Sequence, residues 1–160
     1  MYIPFNELSD QARLWVYQAN RKLSEQEMNF ITREGIEFTK GWTAHNKDLK
    51  ASVEVFYNQF VVLSVDESAA PATGCSIDKS VHFMQLLERE LAVQLLDKST
   101  VAYLKNDQIH LVPLAKVKEM VSAGELAHDS IIFNNMVSDV MSFNQMWEVK
   151  AKDSWMSRYF

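Results

Sequence analysis

The residues best suited to chemistry in this sequence lie in its first half, around the only cysteine. Cys75 follows Gly74 and precedes Ser76, which we predict to be the N-cap of a helix. A thiol at the positive end of a helix dipole is favoured as thiolate, the form that acts as a nucleophile. A nucleophilic site also needs a base and an orienting carboxylate, and His45 and Asp66 are the candidates for these roles.

A β-hairpin is predicted to bring these residues together. Two apolar segments flank Asn58-Gln59, a two-residue connection typical of hairpins. With this turn, Ala51 lies opposite Asp66 at one edge of the sheet. His45 reaches the first strand from that edge, and the loop to the helix leaves from it. A ring nitrogen, a carboxylate and a sulfur would therefore converge.

Further residues at this edge could contact a bound ligand. They are Glu67, Gly74, Ser76 and Asp78. His82 is not a candidate base, because seven helical residues separate it from Cys75 by about 10 Å along the axis. We predict no metal site and no cofactor, since neither a CxxC nor an HxxxH spacing is present.

Composition excludes several classes of function. Of the 160 residues, 48% are hydrophobic and 23% are charged, as in ordinary globular proteins. The net charge of -5, without a basic run, argues against binding to nucleic acid or to an anionic membrane surface. The longest central apolar run is far shorter than the roughly 20 residues of a membrane-spanning helix. With no signal peptide and a single cysteine, we expect a cytoplasmic protein.

The pattern of elements predicts an α+β fold in two units. Residues 1–97 read as a β-α-β-β-α unit that contains the antiparallel hairpin. Its first helix begins at a capping box formed by Ser24 and Glu27. Residues 98–160 read as a hairpin that turns at Asn106-Asp107, a short helix, a strand, a further strand and a terminal helix capped by Asp153. The second unit is expected to pack on the first.

Several short strings resemble a known family. They are "WTAH", "VDES", "GCSIDKSVHF" and "FNNMV", and the likeness extends over nearly the whole chain. The family consists of short, uncharacterised bacterial proteins often labelled "ABC transporter ATPase". ATP hydrolysis by such an enzyme needs a P-loop ending in Gly-Lys-Ser/Thr, and none of the four glycines here precedes a lysine. We therefore predict that the protein is not an ATPase.

Residues 101–135 resemble a bacterial GYF-type module in their order of hairpin, short helix and strand. The resemblance implies binding to peptides or proteins through residues 98–160. The Gly-Pro-Phe signature of such modules is replaced by "LVPL", which argues against proline-rich ligands. Aromatic residues near the C-terminus could add a docking patch: Trp147, Trp155, Tyr159 and Phe160.

The leading interpretation is therefore a cytoplasmic ligand- or protein-binding module. The alternative is a cysteine-dependent hydrolase or transferase, in which Cys75 attacks an electrophilic carbon and His45 accepts the thiol proton.

Overall fold

The computed structural model describes residues 1–160 and has the α+β fold that the sequence predicts. In the first unit, a three-stranded antiparallel sheet has the order β1-β5-β4, with β5 in the centre. The elements of this unit are β1 (Arg13–Gln18), α1 (Glu25–Lys40), β2 (Thr43–Ala44), β3 (Lys47–Asp48), β4 (Lys50–Phe56), β5 (Phe60–Asp66) and α2 (Gly74–Leu91). The small β2–β3 hairpin was not predicted.

Short-range signals determine where α1 begins. The Ser24 hydroxyl accepts a hydrogen bond from the Glu27 amide, and the Glu27 carboxylate accepts one from the Ser24 amide, as predicted. Gly35 faces Val53 of β4 so closely that a Cβ at position 35 would lie 2.7 Å from the Val53 Cβ. The absence of a side chain at Gly35 is thus what lets α1 lie on the sheet.

The central strand β5 is buried on both faces. Val61, Leu63 and Val65 belong to a core formed with α1 and α2. Phe60 and Val62 point to the opposite face and belong to a second core. Strand side chains alternate between the two faces, so an uninterrupted apolar segment is what a strand between two cores requires.

The second unit contains a four-stranded antiparallel sheet of order β7-β6-β8-β9. Its elements are β6 (Thr100–Lys105), β7 (Gln108–Pro113), α3 (Val117–Ser122), β8 (Ile131–Phe133), α4 (Val140–Met146) and β9 (Glu148–Lys150). Asn106 and Asp107 form the predicted hairpin turn, with φ values of 53° and 60°. None of the helices combines the length and the apolar composition that crossing a membrane requires.

Two expectations for the second unit differ from the structure. The helix α4 was not predicted; it begins at a capping box formed by Asp139 and Ser142. The predicted short terminal helix is present as a 3-10 helix, but the prediction that Asp153 caps it is wrong. Asp153 instead ends one 3-10 turn, and the Ser154 side chain caps a second one, Trp155–Tyr159.

The two units share a hydrophobic core. Leu14, Phe60 and Val62 of the first unit pack in one cluster with residues of the second, including Phe133 and Phe143. Polar contacts extend the junction: the Gln18 side-chain nitrogen donates to the Thr100 hydroxyl (3.0 Å), and the Asn135 side chain donates to the Gln18 side-chain oxygen (2.9 Å). The second unit therefore covers the sheet face opposite α1 and α2.

The register of the β4–β5 hairpin differs by one residue from the prediction. Phe56 pairs with Phe60, so three residues connect the strands, and Lys50 rather than Ala51 lies opposite Asp66. Relative to the predicted connection Asn58-Gln59, the extra connecting residue is Tyr57, and the connection ends at Gln59. The Gln59 backbone carbonyl accepts from the Ala19 amide (2.7 Å) and its side chain donates to the Ala19 carbonyl (3.2 Å). These contacts attach the last residue of the connection to the end of β1.

Candidate functional site

The helix start near Cys75 differs from the prediction. The N-cap of α2 is Thr73, not Ser76: the Thr73 hydroxyl accepts from the Ser76 amide (3.2 Å), and the Thr73 amide donates to the Ser76 hydroxyl (3.3 Å). Ser76 is thus the N3 residue of the capping box that begins at Thr73. Cys75 lies inside the first turn of α2 rather than in front of it.

Ser76 connects the start of α2 to the segment before the β2–β3 hairpin. Its hydroxyl donates to the Thr43 carbonyl (3.0 Å), and its own carbonyl accepts from the Trp42 indole (2.8 Å). Both Ser76 and Trp42 are buried. The polar atoms of Ser76 are therefore fully used by the fold, which makes Ser76 a structural residue at this edge.

The structure does not join Cys75 and His45 by a hydrogen bond. Cys75 is an exposed free thiol, and its sulfur has no hydrogen-bond partner. His45 is also exposed and occupies the turn between β2 and β3 with a φ of 51°. No hydrogen bond links His45 to Asp66 either. The nucleophile, base and orienting group thus lack the contacts of an assembled triad.

Asp66 and Glu67 shape the loop that leads to α2. Asp66 accepts from the Ser68 amide (2.8 Å), and the side chain and amide of Ser68, followed by the charge of Lys50, lower the pKa of the Asp66 carboxyl. Glu67 accepts from the Ala72 amide (2.8 Å) and lies 3.8 Å from an Arg13 guanidinium nitrogen. These are turn-forming contacts of the kind that acidic residues make in loops.

The remaining predicted ligand contacts at this edge are open to solvent. A Cβ at Gly74 would have nothing within 4 Å, so no close approach requires a glycine there. Asp78 is exposed and forms no ion pair. No group of three or more His, Cys, Asp or Glu side chains is arranged to hold a metal ion.

A cleft that the sequence analysis missed lies where the β4–β5 turn meets α4 and β9. Its volume is about 450 Å³. We call it the aromatic cleft, and its lining residues are Phe56, Tyr57, Phe143, Asn144, Trp147 and Glu148. The first two belong to the first unit and the other four to the second, so the cleft exists only when the units are packed together.

Stacked aromatic rings form the floor of this cleft. Phe143 and Trp147, at i and i+4 in and just after α4, stack with centroids 4.5 Å apart, and Phe56 packs edge-on to Phe143 at 5.1 Å. The Trp147 indole donates to the Asn135 side chain (3.0 Å), which fixes the ring. Trp147 is 4% exposed and does not form the docking patch predicted for the C-terminal aromatic residues.

Tyr57 forms the exposed wall of the aromatic cleft. Its side chain is 46% exposed, and its hydroxyl donates a hydrogen bond to the Glu148 carboxylate. This bond, followed by partial burial and by the charges of Glu148 and Asp107, raises the pKa of Tyr57 to about 12. Tyr57 has a φ of 53°, a conformation that is uncommon for an aromatic residue.

A larger depression lies beside the start of α1, with a volume of about 800 Å³. It is wide and shallow, and the Arg21 guanidinium that lines it already donates hydrogen bonds to other groups of the protein. The Arg21 guanidinium donates to both carboxylate oxygens of Glu27 (2.9 and 2.7 Å) and to the Leu91 carbonyl (2.7 Å). With its donors committed to the fold, Arg21 is a poor ligand-binding group, and we favour the aromatic cleft.

The i, i+4 spacing of Phe143 and Trp147 behind Asp139 is the sequence signal that could have revealed α4 and half of this cleft. Comparisons with models of protein families, with curated proteins and with solved structures give no match, so the geometry alone supports a function.

Proposed function

We propose that the protein is a peptide- or protein-binding module without ATPase activity and that its binding surface is the aromatic cleft. The observation that carries the proposal is the half-exposed Tyr57 ring above a floor of buried rings. Tyrosine and tryptophan are enriched at the energetic centres of interfaces, where one end of the ring is apolar and the other bonds polar groups.

The position of the aromatic cleft also supports this proposal. Residues 98–160, for which the sequence predicts protein binding, contribute Phe143, Asn144, Trp147 and Glu148. The order of β6, β7, α3 and β8 in this unit agrees with the hairpin, helix and strand of the GYF-type resemblance. Aromatic-lined grooves are a recurring means of peptide recognition in other small binding domains.

A random-peptide display against the full chain tests the proposal. We expect enriched peptides to bind the wild type and to lose at least about tenfold in affinity for Tyr57→Ala, because truncating a central aromatic residue typically costs more than 1.4 kcal/mol. Trp155→Ala is the matched control, since Trp155 is also exposed (37%) but lies outside the cleft. Peptides that bind both variants equally well, or no enrichment at all, would contradict the proposal.

The partner class and compartment are part of the same proposal. A net charge of -5 disfavours nucleic acid, whose phosphates attract clustered lysine and arginine. The exposed Cys75 thiol has no disulfide partner, which suits the reducing cytoplasm.

A cysteine-dependent hydrolase or transferase is the second candidate function. The exposed Cys75 thiol in the first turn of the 18-residue helix α2 is the observation that favours it. If His45 activates Cys75, iodoacetamide should alkylate the thiol well below pH 8.5, and His45→Gln should slow that reaction. An alkylation rate that follows an ordinary thiol pKa in both proteins removes this candidate.

A further inference from the structure

Glu148 is a carboxylate without a cationic partner. It is exposed, belongs to none of the ion pairs of the protein, and has one side-chain hydrogen bond, which it accepts from Tyr57. An ionised carboxylate can accept about four hydrogen bonds, so most of its capacity is available. Lys150, two residues along β9, does not pair with it.

Negative charge is concentrated around the Tyr57 ring. Asp107, in the β6–β7 turn, lies close enough to Tyr57 to act on its hydroxyl electrostatically, and it also has no ion-pair partner. Asn144 lines the aromatic cleft, is exposed, and uses none of its side-chain atoms in hydrogen bonds with the protein. The rim thus offers acceptors and negative charge.

The ring at the centre of this rim is held in place before any ligand binds. Tyr57 contacts Phe133 at 5.4 Å and Trp147 at 5.8 Å between ring centroids, and its hydroxyl is bonded to Glu148. A preorganised ring loses little conformational entropy on binding. The exposed part of the ring offers a cation the negative potential of its π system.

We propose, on the basis of the binding function above, that the aromatic cleft accepts an arginine side chain of the bound peptide. The guanidinium stacks on the Tyr57 ring and donates hydrogen bonds to the Glu148 carboxylate and the Asn144 amide oxygen. Arginine fits better than lysine because its planar group stacks on rings and carries five donors in a fixed fork. An acidic segment is repelled by Glu148 and Asp107.

Titration of the ¹⁵N-labelled full chain with small probes tests this inference. The probes are the N-acetyl N-methylamides of arginine, lysine and citrulline; citrulline matches arginine in shape but is uncharged. We expect the arginine probe to shift the amide signals of Asn144 and Glu148 and the indole signal of Trp147. Citrulline should leave these signals in place, and lysine should shift them only at higher concentration.

Glu148→Gln should weaken binding of the arginine probe about tenfold, because it removes the charge but leaves an oxygen that accepts from Tyr57. Glu90→Gln, in an exposed pair with Arg89, is the control and should bind as the wild type does. Equal shifts with arginine and citrulline, equal affinity for arginine and lysine, or an unchanged affinity in Glu148→Gln would overturn the inference.

The peptide display separates this inference from the function on which it rests. Enriched peptides that depend on Tyr57 but carry no arginine, and bind Glu148→Gln normally, would overturn the arginine inference alone. Peptides independent of Tyr57 would overturn the binding function of the cleft as well.

Discussion

The Tyr57 hydroxyl donates a hydrogen bond to the Glu148 carboxylate, although 91 residues separate the two positions in the chain. Tyr57 begins the connection between β4 and β5, and Glu148 begins the edge strand β9. This bond therefore crosses the junction of the two units. It places an aromatic wall and an unneutralised carboxylate side by side in the aromatic cleft.

Replacing Glu148 should change the ionisation of Tyr57. In the wild type the pKa of Tyr57 is about 12, because the neutral phenol donates a hydrogen bond to the Glu148 carboxylate, while partial burial and the charge of Glu148 disfavour the phenolate. Glu148→Gln should bring this pKa down toward 10. Titration of the Tyr57 ring carbon by ¹³C NMR measures the change, with Glu125→Gln as a control; an unaltered pKa would show that the charge of Glu148 does not act on Tyr57 in solution.

The same shift makes stability fall at high pH. Since the pKa of Tyr57 is higher in the folded state than its ordinary value of 10, the stabilising contribution is complete below pH 10 and is lost as the pH rises through about 12. Urea unfolding between pH 9 and 12 should show a smaller loss of stability for Tyr57→Phe than for the wild type. Identical slopes for the two proteins would contradict this prediction.

Gly35→Ala should destabilise the protein even though alanine favours helices. The added methyl group would lie 2.7 Å from Cβ and 2.9 Å from Cγ1 of Val53, a β-branched side chain that cannot move aside. We expect a loss of about 1–3 kcal/mol in the free energy of unfolding, measured with urea. Gly74→Ala is the control: nothing lies within 4 Å there, so stability should stay equal or rise by up to about 1 kcal/mol.

Ser64→Ala should leave stability unchanged within about 0.5 kcal/mol or increase it. The hydroxyls of Ser64 and of its cross-strand neighbour Ser52 are fully buried and have no hydrogen-bond partner. Ser76→Ala is the matched comparison, because the buried Ser76 hydroxyl bonds Thr73 and the Thr43 carbonyl. That variant should lose about 1–2 kcal/mol. A larger loss for Ser64→Ala than for Ser76→Ala in urea unfolding would refute this account.

Arg21→Gln should raise the pKa of Glu27. The Arg21 guanidinium, followed by the Ser24 amide, holds the Glu27 pKa at about 2 instead of 4.5. A lowered pKa stabilises the fold above pH 4.5, and this contribution disappears as the pH falls to about 2. The stability difference between wild type and Arg21→Gln should therefore be larger at pH 7 than near pH 2, where the loss of the bond from Arg21 to the Leu91 carbonyl remains. Arg33→Gln, which loses an exposed pair with Glu34 and a contact with the Phe30 ring, should show no such convergence.

Short-range rules predicted much of this fold. The capping box at Ser24 and Glu27 and the Asn106-Asp107 turn depend on residues at most three positions apart. The order of strands and helices in the first unit follows from periodicity in the same way. The start of α2 was misplaced because Ser76 is a good cap by type, while Thr73 three residues earlier satisfies both bonds of the capping box.

The predicted site of His45, Asp66 and Cys75 at the sheet edge depended on the pairing register of β4 and β5, which could not be derived from the sequence. The β4–β5 connection contains Tyr57 in addition to the predicted Asn58 and Gln59, so that Lys50, instead of Ala51, lies opposite Asp66. A shift of one residue exchanges the two faces of a strand, so predictions about side-chain convergence are sensitive to it.

By itself, the sequence determined the α+β class and most helices and strands, because these depend on propensity, capping and apolar periodicity along short segments. Only the tertiary structure decided that Tyr57 meets Glu148 and that rings from both units form one cleft. That meeting results from packing the second unit on the open face of the first sheet, and contacts between such distant segments leave no local pattern in the chain.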